Sequence, residues 1–487
     1  MLFNSYIFIL LFLPITMILY YGFQHSKKVI HAKWILIIAS LIFYGYFDVG
    51  YLPVLLASIC FNYGISKMLL NSRYHGTNKK ILLAAGIGCN VGLLLYIKYW
   101  NFFLENINII FGSSFNFIQM LLPLGISFFT FQQIAYLVDS YGGETCEYSF
   151  TDYVLFVTFF PKLSMGPIVL HHQLIPEFNK KENRVLNQAR LSKGIRWFSI
   201  GLAKKVLLAD TLGRAVDWSY ANIDVLGGTD VLVVSLLYTL QLYFDFSGYC
   251  DMACGIGEMF QISLPVNFNS PYKATSITEF WNRWHITLSG FLQKYIYFPL
   301  GGSRKGIIRS AINILIVFGI SGIWHGAAWT FVIWGMLHGI ARVLHKLFQK
   351  RWDGIPKLIR WFATFLFLNF TWIFFRAESV TQAGILLKKM FLEQNGKLQS
   401  GLLQQFDVLE FTYIEEHVGP LLHLVKTYPQ IHLGIFMVIG LFLALVPKNL
   451  YEKEFKPGIL NALISTILLV WSVVSFSGVS TFLYFNF

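Results

Sequence analysis

Charged residues are scarce in this sequence. They make up 13% of its 487 residues, whereas soluble chains carry about 25%, so roughly half of the usual charge is missing. Hydrophobic residues account for 55% and aromatic residues for 17%, and the mean hydropathy is +0.57. This composition excludes an ordinary soluble domain and predicts a membrane protein.

Cysteine is also rare, and its spacing indicates no particular chemistry. The five cysteines are Cys60, Cys89, Cys146, Cys250 and Cys254. They form neither a metal-ligand pattern nor a disulfide framework. Cys250 and Cys254 share one helix face, which two buried small residues explain as well as a metal would. We therefore expect no metal site.

Signal-peptide features are missing from the N-terminus, MLFNSYIFILLFLPITMILYYGF. It has no basic stretch and no small-residue cleavage site. We predict that it is a retained first transmembrane helix.

Acidic residues are outnumbered, with 25 Asp and Glu against 38 Lys and Arg, which gives a net charge of +13. In a soluble protein such an excess can indicate nucleic-acid binding. Here the basic residues cluster in short segments between apolar blocks, as is typical of cytoplasmic loops. We expect contact with membrane lipids and no nucleic-acid partner.

Apolar blocks of membrane-spanning length recur along nearly the whole chain. About 20 residues at a rise of 1.5 Å each cross the hydrocarbon core. Such blocks lie at 3–23, 33–48, 50–70, 81–100, 116–138, 153–170, 229–250, 310–326, 328–345, 358–375, 431–447 and 459–478. The predicted fold class is an all-α polytopic membrane protein with roughly 11 transmembrane helices plus re-entrant or interfacial helices.

Strict alternation between the two sides of the membrane fails between residues 139 and 228. Tyr153–Leu170 and Leu191–Leu212 are interrupted by prolines, glycine and several lysines. Helices that re-enter the membrane suit this pattern better than full spans, provided that protein or water covers their free backbone groups. With no visible repeat or second domain, we predict a single membrane domain over residues 1–487.

The basic segments also predict an orientation. Those at 27–33, 67–80, 204–205, 304–309, 346–360 and 448–456 should face the cytoplasm. The N-terminus, the segment of about 376–430 and the C-terminus should then be extracytoplasmic.

Three polar clusters interrupt the apolar blocks, and the first is Gln241-Leu-Tyr-Phe-Asp-Phe-Ser-Gly-Tyr-Cys-Asp251. An ionisable group at membrane depth is costly and is a functional candidate by default. At helical spacing Gln241, Asp245 and Tyr249 share one face, while Ser247 and Asp251 share another. Hydrogen bonding between helices explains these residues equally well.

The second cluster is Trp281-Asn-Arg-Trp-His285. It is too polar for lipid and too aromatic for a free loop, which favours a pocket wall. Arg283 would hold an anion or a carboxylate such as Glu279 or Asp245. An aromatic anchor at the membrane interface is the alternative.

The third cluster is Ser321-Gly-Ile-Trp-His-Gly-Ala-Ala-Trp329. About 33 apolar residues lie between its basic flanks, too many for one span and just enough for a tight helix pair. Small residues near the turn would permit close helix contact: Gly322, Gly326, Ala327 and Ala328. His325 should lie near the apex of this hairpin, and His338 is a weaker candidate. An ordinary core histidine is the alternative for both.

Together these residues resemble a known family. TEFWNRWHITLSGFLQKYIYFPLGGSRKG, followed by SGIWHGAAWTFVIWGMLHG, is similar to the membrane-bound O-acyltransferase family, and within it to the branch that O-acetylates alginate. The similarity covers nearly the whole chain and includes FPKLSMGPIV, LQLYFDFSGYCDMA, FTWIFFRAES and the final FLYFNF. The WNRWH and WHG motifs are highly specific in combination.

The resemblance implies an enzyme of the bacterial cytoplasmic membrane with a central catalytic funnel. It would move an acetyl group from a cytoplasmic thioester to an extracytoplasmic polysaccharide. The family's catalytic histidine falls on His325 and its other signature histidine on His285. A neutral imidazole suits the base that deprotonates an acceptor hydroxyl, and nearby donors would stabilise the oxyanion.

Further residues are candidates for binding substrate and donor. They are Trp281, Asn282, Arg283, Trp284, Tyr295, Trp324, Gln241, Asp245, Lys162, Arg304 and Lys305. A polyanionic donor at the cytoplasmic mouth would be held by Lys162, Lys204, Lys205, Arg304 and Lys305, although a general excess of positive charge explains most of these residues.

The expected donor is acetyl-CoA or another acyl thioester, used as a substrate, and no bound cofactor is expected. The expected partners are an extracytoplasmic acetyltransferase of the SGNH type and the glycan acceptor. D-alanyl transfer to teichoic acid from a carrier protein is one alternative function. A transporter or scaffold is another, but a transporter should show paired repeats of discontinuous helices.

The C-terminal motif at 482–487 gives the sharpest prediction. A similar Phe-x-Tyr-x-x-Phe ending marks the small partner subunit of the D-alanyl system, which implies that Tyr484 is a transient acyl acceptor. Phe482, Phe485 and Phe487 would anchor the tail. Because the pKa of a phenol is near 10, its ester is more activated than an alkyl ester and less than a thioester. An aromatic residue at the membrane interface is the alternative.

Overall fold

A computed structural model describes residues 1–483 of the chain, except 27, 72, 74, 119–121, 409, 412, 414–427, 453 and 477–481. Within these residues all of the regular secondary structure is helical, and there is no strand. The helices are α1 (Leu13–His25), α2 (Val29–Gly45), α3 (Leu52–Leu70), α4 (Gly76–Leu94), α5 (Trp100–Phe111), α6 (Ile126–Gly142), α7 (Phe150–Thr158), α8 (Phe160–Leu163), α9 (His171–Asn179), α10 (Gln188–Ala203), α11 (Asp210–Ala221), α12 (Gly228–Met259), α13 (Ile277–Trp281), α14 (Ile286–Leu292), α15 (Gly306–His325), α16 (Trp329–Leu347), α17 (Gln349–Asp353), α18 (Lys357–Arg376), α19 (Val380–Leu392), α20 (Ser400–Gln404), α21 (Gln430–Leu445) and α22 (Ile459–Val474).

Several of these helices are joined by short turns of other helix types. Wide π-helical turns precede α1 at Ile7–Phe12, join α4 to α5 at Leu95–Tyr99, join α10 to α11 at Lys204–Ala209, and extend α14 at Gln293–Tyr297. Turns of the tighter 3₁₀ type lie at Val49–Tyr51, Lys181–Arg184, Ile223–Val225, Pro271–Lys273 and Leu450–Glu452.

Many of these helices have the length and composition of membrane spans. Within the described part of the chain, seven helical stretches qualify: Ile7–His25, Val49–Leu70, Gly76–Phe111, Gly228–Met259, Gly306–His325, Lys357–Arg376 and Gln430–Glu452. Two shorter apolar helices are Val29–Gly45 and Ile459–Val474. The prediction of an all-α polytopic membrane protein is confirmed.

The centre of the fold is α12, which is 32 residues long and buried over most of its length. It packs against α10 through pairs of glycines that bring the two backbones together. A Cβ added to Gly201 would lie 2.5 Å from the Gly248 carbonyl oxygen, and one added to Gly194 would lie 2.5 Å from that of Gly255. In lipid, such small-residue contacts are what allow helices to pack closely.

Two of the predicted spans need correction. The predicted span 116–138 begins as a helix only at Ile126, because Gly125 turns the chain in the left-handed region where a Cβ would lie 2.3 Å from the Leu163 carbonyl oxygen. The predicted span 153–170 is broken, as its prolines suggested: α7 ends at Thr158, α8 is a single turn, and the chain is non-helical from 164 to 170.

The interruption predicted for Leu191–Leu212 is wrong. Residues 188–221 are helical throughout, with one π-helical turn between α10 and α11. The lysines of that turn do not break the helix because Lys204 and Lys205 form ion pairs with Asp251 and Asp245 of α12, at 2.6 and 2.8 Å. A sequence pattern cannot show that a charge in an apolar block has a partner on another helix.

The predicted hairpin is confirmed as the pair α15 and α16, separated by Gly326, Ala327 and Ala328. Gly322 and Gly335 face each other across it, since a Cβ on Gly335 would lie 3.0 Å from the Gly322 Cα. Gly326 is also closely packed, because its Cβ would lie 2.1 Å from the Phe331 ring. The small residues therefore fix the distance between the two helices.

We expect Gly322→Ala to destabilise the hairpin by about 1–3 kcal/mol, the usual cost of overpacking. Its new Cβ would lie 2.4 Å from the Phe331 carbonyl oxygen, which cannot move aside as a side chain can. The matched control is Gly319→Ala on the same helix, whose Cβ would meet only the Met336 sulfur at 3.7 Å. Thermal unfolding of the purified protein in detergent measures both, and equal midpoints for the two variants would contradict this packing.

Candidate functional site

His325 is the last residue of α15 and is 3% exposed. The helix ends there because Gly326 is extended. Aromatic rings surround the imidazole, with centroids at 5.0 Å for Trp324, 5.0 Å for Trp334 and 5.2 Å for Phe375. This enclosure by α15, α16 and α18 confirms the position predicted for His325 at the apex of the hairpin.

His285 lies opposite His325, directly before the start of α14, and is fully buried. Its backbone is in the left-handed region (φ 45°), an uncommon conformation for a residue with a Cβ. Asn267 holds it there. The Asn267 backbone carbonyl accepts from the Ile286 N–H at 3.0 Å, and its side-chain oxygen accepts from the Thr287 N–H at 3.2 Å.

The same asparagine determines which nitrogen of His285 carries the proton. Asn267 Oδ1 is identified as the oxygen because it accepts from a backbone N–H. It lies 3.1 Å from His285 Nδ1, so Nδ1 must donate. Nε2 is then the unprotonated nitrogen, and it has no hydrogen-bond partner among the described residues.

The two imidazole rings come together from positions 40 residues apart in sequence, with centroids 6.5 Å apart. Three buried indole N–H groups nearby, those of Trp324, Trp334 and Trp372, have no acceptor within the described part of the chain. A buried site with basic nitrogens and unused N–H donors can remove a proton from a hydroxyl and stabilise an oxyanion.

His338, the weaker candidate, has a hydrogen-bond partner on each ring nitrogen. Its Nδ1 accepts from the Trp281 indole N–H at 3.2 Å, and its Nε2 donates to the Thr371 hydroxyl at 3.0 Å. The Thr371 hydroxyl itself donates to the Leu368 carbonyl oxygen, which fixes that direction. With both nitrogens used, His338 links α13, α16 and α18.

The other members of the 281–285 cluster support the site from outside. Arg283 binds the Glu279 carboxylate at 3.0 Å, one of the two acidic partners predicted for it. Burial alone would raise the pKa of Glu279, but hydrogen bonds from Thr275 and the charge of Arg283 lower it. Trp284 is buried against Trp372, with ring centroids at 5.2 Å, and Asn282 is exposed.

A cavity of about 1670 Å³ lies next to His325, although neither histidine is among its lining residues. Phe375, which contacts His325, forms part of its wall, and Gln241 and Asp245 of α12 line it as well. Gln241 and Asp245 thus share a face of α12, as predicted. Tyr249, predicted for the same face, is not among the lining residues and contacts Phe482 of the C-terminal tail, with ring centroids 5.0 Å apart. Because Asp245 also pairs with Lys205, the functional and the helix-pairing interpretations of this cluster are compatible.

The cavity follows the whole of α21, a length of about 24 Å at 1.5 Å per residue. Its lining includes Asp407, which contacts His432 near the start of α21 at 3.1 Å. It also includes Lys448 and Asn449, which follow the end of the helix. The cavity therefore extends from one end of α21 to the other, within the candidate membrane span Gln430–Glu452.

Not all predicted donor-binding residues lie at this cavity. Lys204 and Lys205 line it. Lys162 is fully buried, donates to Gln132 and lies 4.6 Å from the Phe156 ring. Arg304 and Lys305 are exposed at the start of α15 and are not among the lining residues.

Tyr295 belongs to a separate polar cluster. Its hydroxyl donates to Asp139 at 2.8 Å, and the same carboxylate accepts from His171 at 3.0 Å. Asp139, His171 and His172 have the spacing of metal ligands. The Lys294 ammonium lies 3.0 Å from Asp139, however, and its positive charge opposes a bound cation.

The C-terminal tail enters the cavity wall. Phe482 is fully buried, with the Lys205 ammonium 4.4 Å from its ring centroid. The Leu483 N–H donates to Asp245 at 3.0 Å. Tyr484, Phe485 and Phe487 lie outside the described residues.

Several site residues have no individual signal in the sequence. Asn267 lies in none of the motifs, whereas Trp334 and Phe375 lie within SGIWHGAAWTFVIWGMLHG and FTWIFFRAES but are not singled out there as site residues. Each of the three reaches the site from a different segment. Lys98 is the exception, because a single charge in an apolar block is itself a signal. It contacts the end of α15, donating to the backbone carbonyl oxygen of His325.

The chain is similar to proteins of known family. The sequence model of the membrane-bound O-acyltransferase family matches residues 143–381, which include both histidines. A peptidoglycan O-acetyltransferase of Helicobacter pylori is 40% identical over 100% of this chain and 98% of its own length. A probable alginate O-acetylase of Pseudomonas aeruginosa is 36% identical over 80% of this chain and 75% of its own.

A teichoic acid D-alanyltransferase of Bacillus subtilis is more distant, at 28% identity over 52% of this chain and 69% of its own length. The family motifs, the helical membrane fold and the near end-to-end match to an O-acetyltransferase agree with one another. The chain therefore belongs to the membrane-bound O-acyltransferase family.

Proposed function

We propose that this acyltransferase moves an acetyl group from a cytoplasmic thioester through the membrane to an extracytoplasmic glycan, and that the glycan is peptidoglycan. One observation carries the transfer itself: two buried imidazoles lie 6.5 Å apart beside a cavity that follows α21 from end to end. The peptidoglycan assignment rests on similarity to an O-acetyltransferase of that polymer over both full lengths.

The chemistry assigned to the site is direct transfer from a thioester to a hydroxyl. His325 accepts the proton of the acceptor hydroxyl as its oxygen attacks the thioester carbonyl carbon. Indole N–H groups such as that of Trp324 stabilise the oxyanion. The carbon–sulfur bond then breaks, and the thiolate takes the proton back from the His325 imidazolium. His285 presents its unprotonated Nε2 and orients the acceptor.

The acceptor in this step is the hydroxyl of Tyr484. The support is the position of the two preceding residues, because Phe482 is buried beside Lys205 and the Leu483 N–H is bound to Asp245 in the cavity wall. The acetyl ester formed on the phenol crosses the membrane without its donor. A separate extracytoplasmic acetyltransferase of the SGNH type then transfers the acetyl group to the glycan.

The donor is acetyl-CoA. Arg196 and Lys448 line the cavity together with Lys204, and Lys448 belongs to a basic segment that the sequence assigns to the cytoplasm. A cluster of positive charge at that mouth attracts a polyanionic thioester. Elsewhere the lining carries both signs: Asp217 pairs with Arg376 at 2.8 Å, and Arg214, Glu378 and Asp407 line the cavity as well.

D-alanyl transfer is the second candidate, because a D-alanyltransferase is among the relatives. It requires a carrier protein as donor rather than a soluble coenzyme. Its product is an alanyl ester, which differs from an acetyl ester in carrying an amine. Analysis of the esters released from the cell wall therefore separates the two functions.

We expect His325→Ala to reduce acetyl transfer by roughly 10²–10⁴-fold, the usual contribution of a general base. The measurement is acetate released by mild base from purified peptidoglycan of cells that express only the variant. The matched control is His345→Ala on α16, which removes a half-buried imidazole bound to Thr278 away from the site. Normal acetate from His325→Ala cells would exclude His325 as the base, and loss of alanine in place of acetate would favour the second candidate.

Tyr484→Phe should abolish glycan acetylation and leave the amount of protein in the membrane unchanged. The variant keeps the ring and loses only the hydroxyl that would carry the acetyl group. Mass spectrometry of the wild-type C-terminal peptide should also find an acetyl group on Tyr484. Glycan acetylation at the wild-type rate in the variant would mean that Tyr484 is only a membrane anchor.

The two sides of the membrane should be distinguished by thiol labelling. We expect Lys305→Cys to react only from the cytoplasm and Lys397→Cys, in the 376–430 segment, only from outside. The exposed cysteines Cys60, Cys89 and Cys146 are first replaced by serine to remove background. A membrane-impermeant maleimide applied to intact cells and to inverted vesicles tests this, and reaction of both sites from one side would refute the orientation.

A further inference from the structure

Lys98 and Tyr99 lie on the π-helical turn between α4 and α5 and reach the end of α15. The Lys98 ammonium donates to the carbonyl oxygens of Trp324 at 2.7 Å and His325 at 3.1 Å. The Tyr99 hydroxyl donates to the carbonyl oxygen of Ile323 at 2.6 Å. Three consecutive carbonyls at the end of the helix, including that of His325, are thus bound by side chains from another helix.

These hydrogen bonds supply partners for the backbone carbonyls at the C-terminal end of α15. The last carbonyls of a helix have no partner within the helix. In a membrane interior there is little water to take that role, so protein groups must supply it. The end of a helix also carries partial negative charge, which makes a cation the best partner.

The π-helical turn explains how neighbouring residues both reach this place. Adjacent side chains in a regular α-helix point about 100° apart, and a π-helical turn changes that direction locally. On the far side of the turn, α5 contacts the start of α16. The Asn106 side-chain oxygen accepts from the Trp329 indole N–H at 2.9 Å, and the Phe102 ring lies 5.8 Å from that of Trp329.

The α4–α5 helix therefore contacts both the end of α15 and the start of α16 at the hairpin apex. Its contacts with α15 are hydrogen bonds to the backbone carbonyl oxygens of Ile323, Trp324 and His325. A shift of this backbone moves the imidazole, which packs against Trp324, Trp334 and Phe375, relative to His285. Lys98 is thus placed to control the distance between the two histidines.

We propose that Lys98 is a positioning residue for the transfer step: by binding the terminal carbonyls of α15 it holds His325 at its working distance from His285. This inference rests on the proposed role of His325 as the base. Lys98 acts through the backbone of the histidine and does not react itself. A cation in an apolar block is costly, and this role accounts for its presence.

The test compares Lys98→Met, Lys98→Gln and Lys98→Arg in purified protein in lipid nanodiscs, with acetyl-CoA as donor. Because the acceptor Tyr484 belongs to the same chain, kcat here is the maximal single-turnover rate of CoA release, and KM is the acetyl-CoA concentration that gives half of that rate. Lys98→Met should lower kcat by roughly 10- to 100-fold, as expected for a displaced catalytic group, with KM for acetyl-CoA unchanged. Lys98→Arg keeps the charge and should recover most of kcat. Lys98→Gln can reach one carbonyl without charge and should fall between the two.

The matched control is Lys80→Met, which removes an exposed lysine from the same α4 helix and should leave kcat unchanged. Size-exclusion chromatography and thermal unfolding establish the folded fraction, and kcat is expressed per folded protein. Should Lys98→Met not fold, Lys98→Gln and Lys98→Arg carry the comparison.

The outcomes separate this inference from the proposed function. If His325→Ala is active, the proposed function fails first. If His325→Ala is inactive but Lys98→Met and Lys98→Gln both match the wild-type kcat, the positioning role is overturned. A raised KM at constant kcat overturns it as well, because Lys98 would then bind the donor. A lower melting temperature with unchanged kcat per folded protein assigns Lys98 a stabilising role only.

Discussion

Every backbone carbonyl in lipid needs a partner, and this constraint shapes the site more than any other. His325 lies deep in the fold where α15 stops, and stopping a helix leaves its last carbonyls without partners in the helix. The chain meets this need with Lys98 and Tyr99 from the α4–α5 helix. The extended Gly326 then lets α16 return at once, and closely packed glycines hold the two helices together.

Buried charged groups also need partners. Lys204 and Lys205 enter an apolar region opposite Asp251 and Asp245, so that α10, α11 and α12 are joined by ion pairs as well as by glycine contacts. Lys205 also pairs with Asp210 at 2.8 Å, so its buried ammonium has two carboxylate partners. Asp245 serves a second purpose, because its other oxygen accepts the N–H of Leu483 in the C-terminal tail. One ion pair thus links the central helix, the cavity wall and the tail.

The sequence predicted the parts of the site that lie close together in the chain. Composition and block length indicated a helical membrane protein, and the small residues flanking His325 indicated a hairpin apex, both of which the structure confirms. The contacts across the fold could not be predicted. The tautomer of His285 depends on Asn267, and the satisfied nitrogens of His338 depend on Trp281 and Thr371. Nothing in the local pattern shows which nitrogen of either histidine is bound.

By itself the sequence determined the class of protein, the helices that form and the motifs that mark its family, because hydrophobic length and small-residue spacing act locally along a chain. It misjudged Leu191–Leu212, where lysines appeared to interrupt a helix, since their carboxylate partners lie on α12. Only the tertiary structure decided which charges are paired, which histidine has an unused nitrogen and where the cavity runs. These properties depend on distances between helices, and such distances are set by packing in three dimensions rather than by the order of residues.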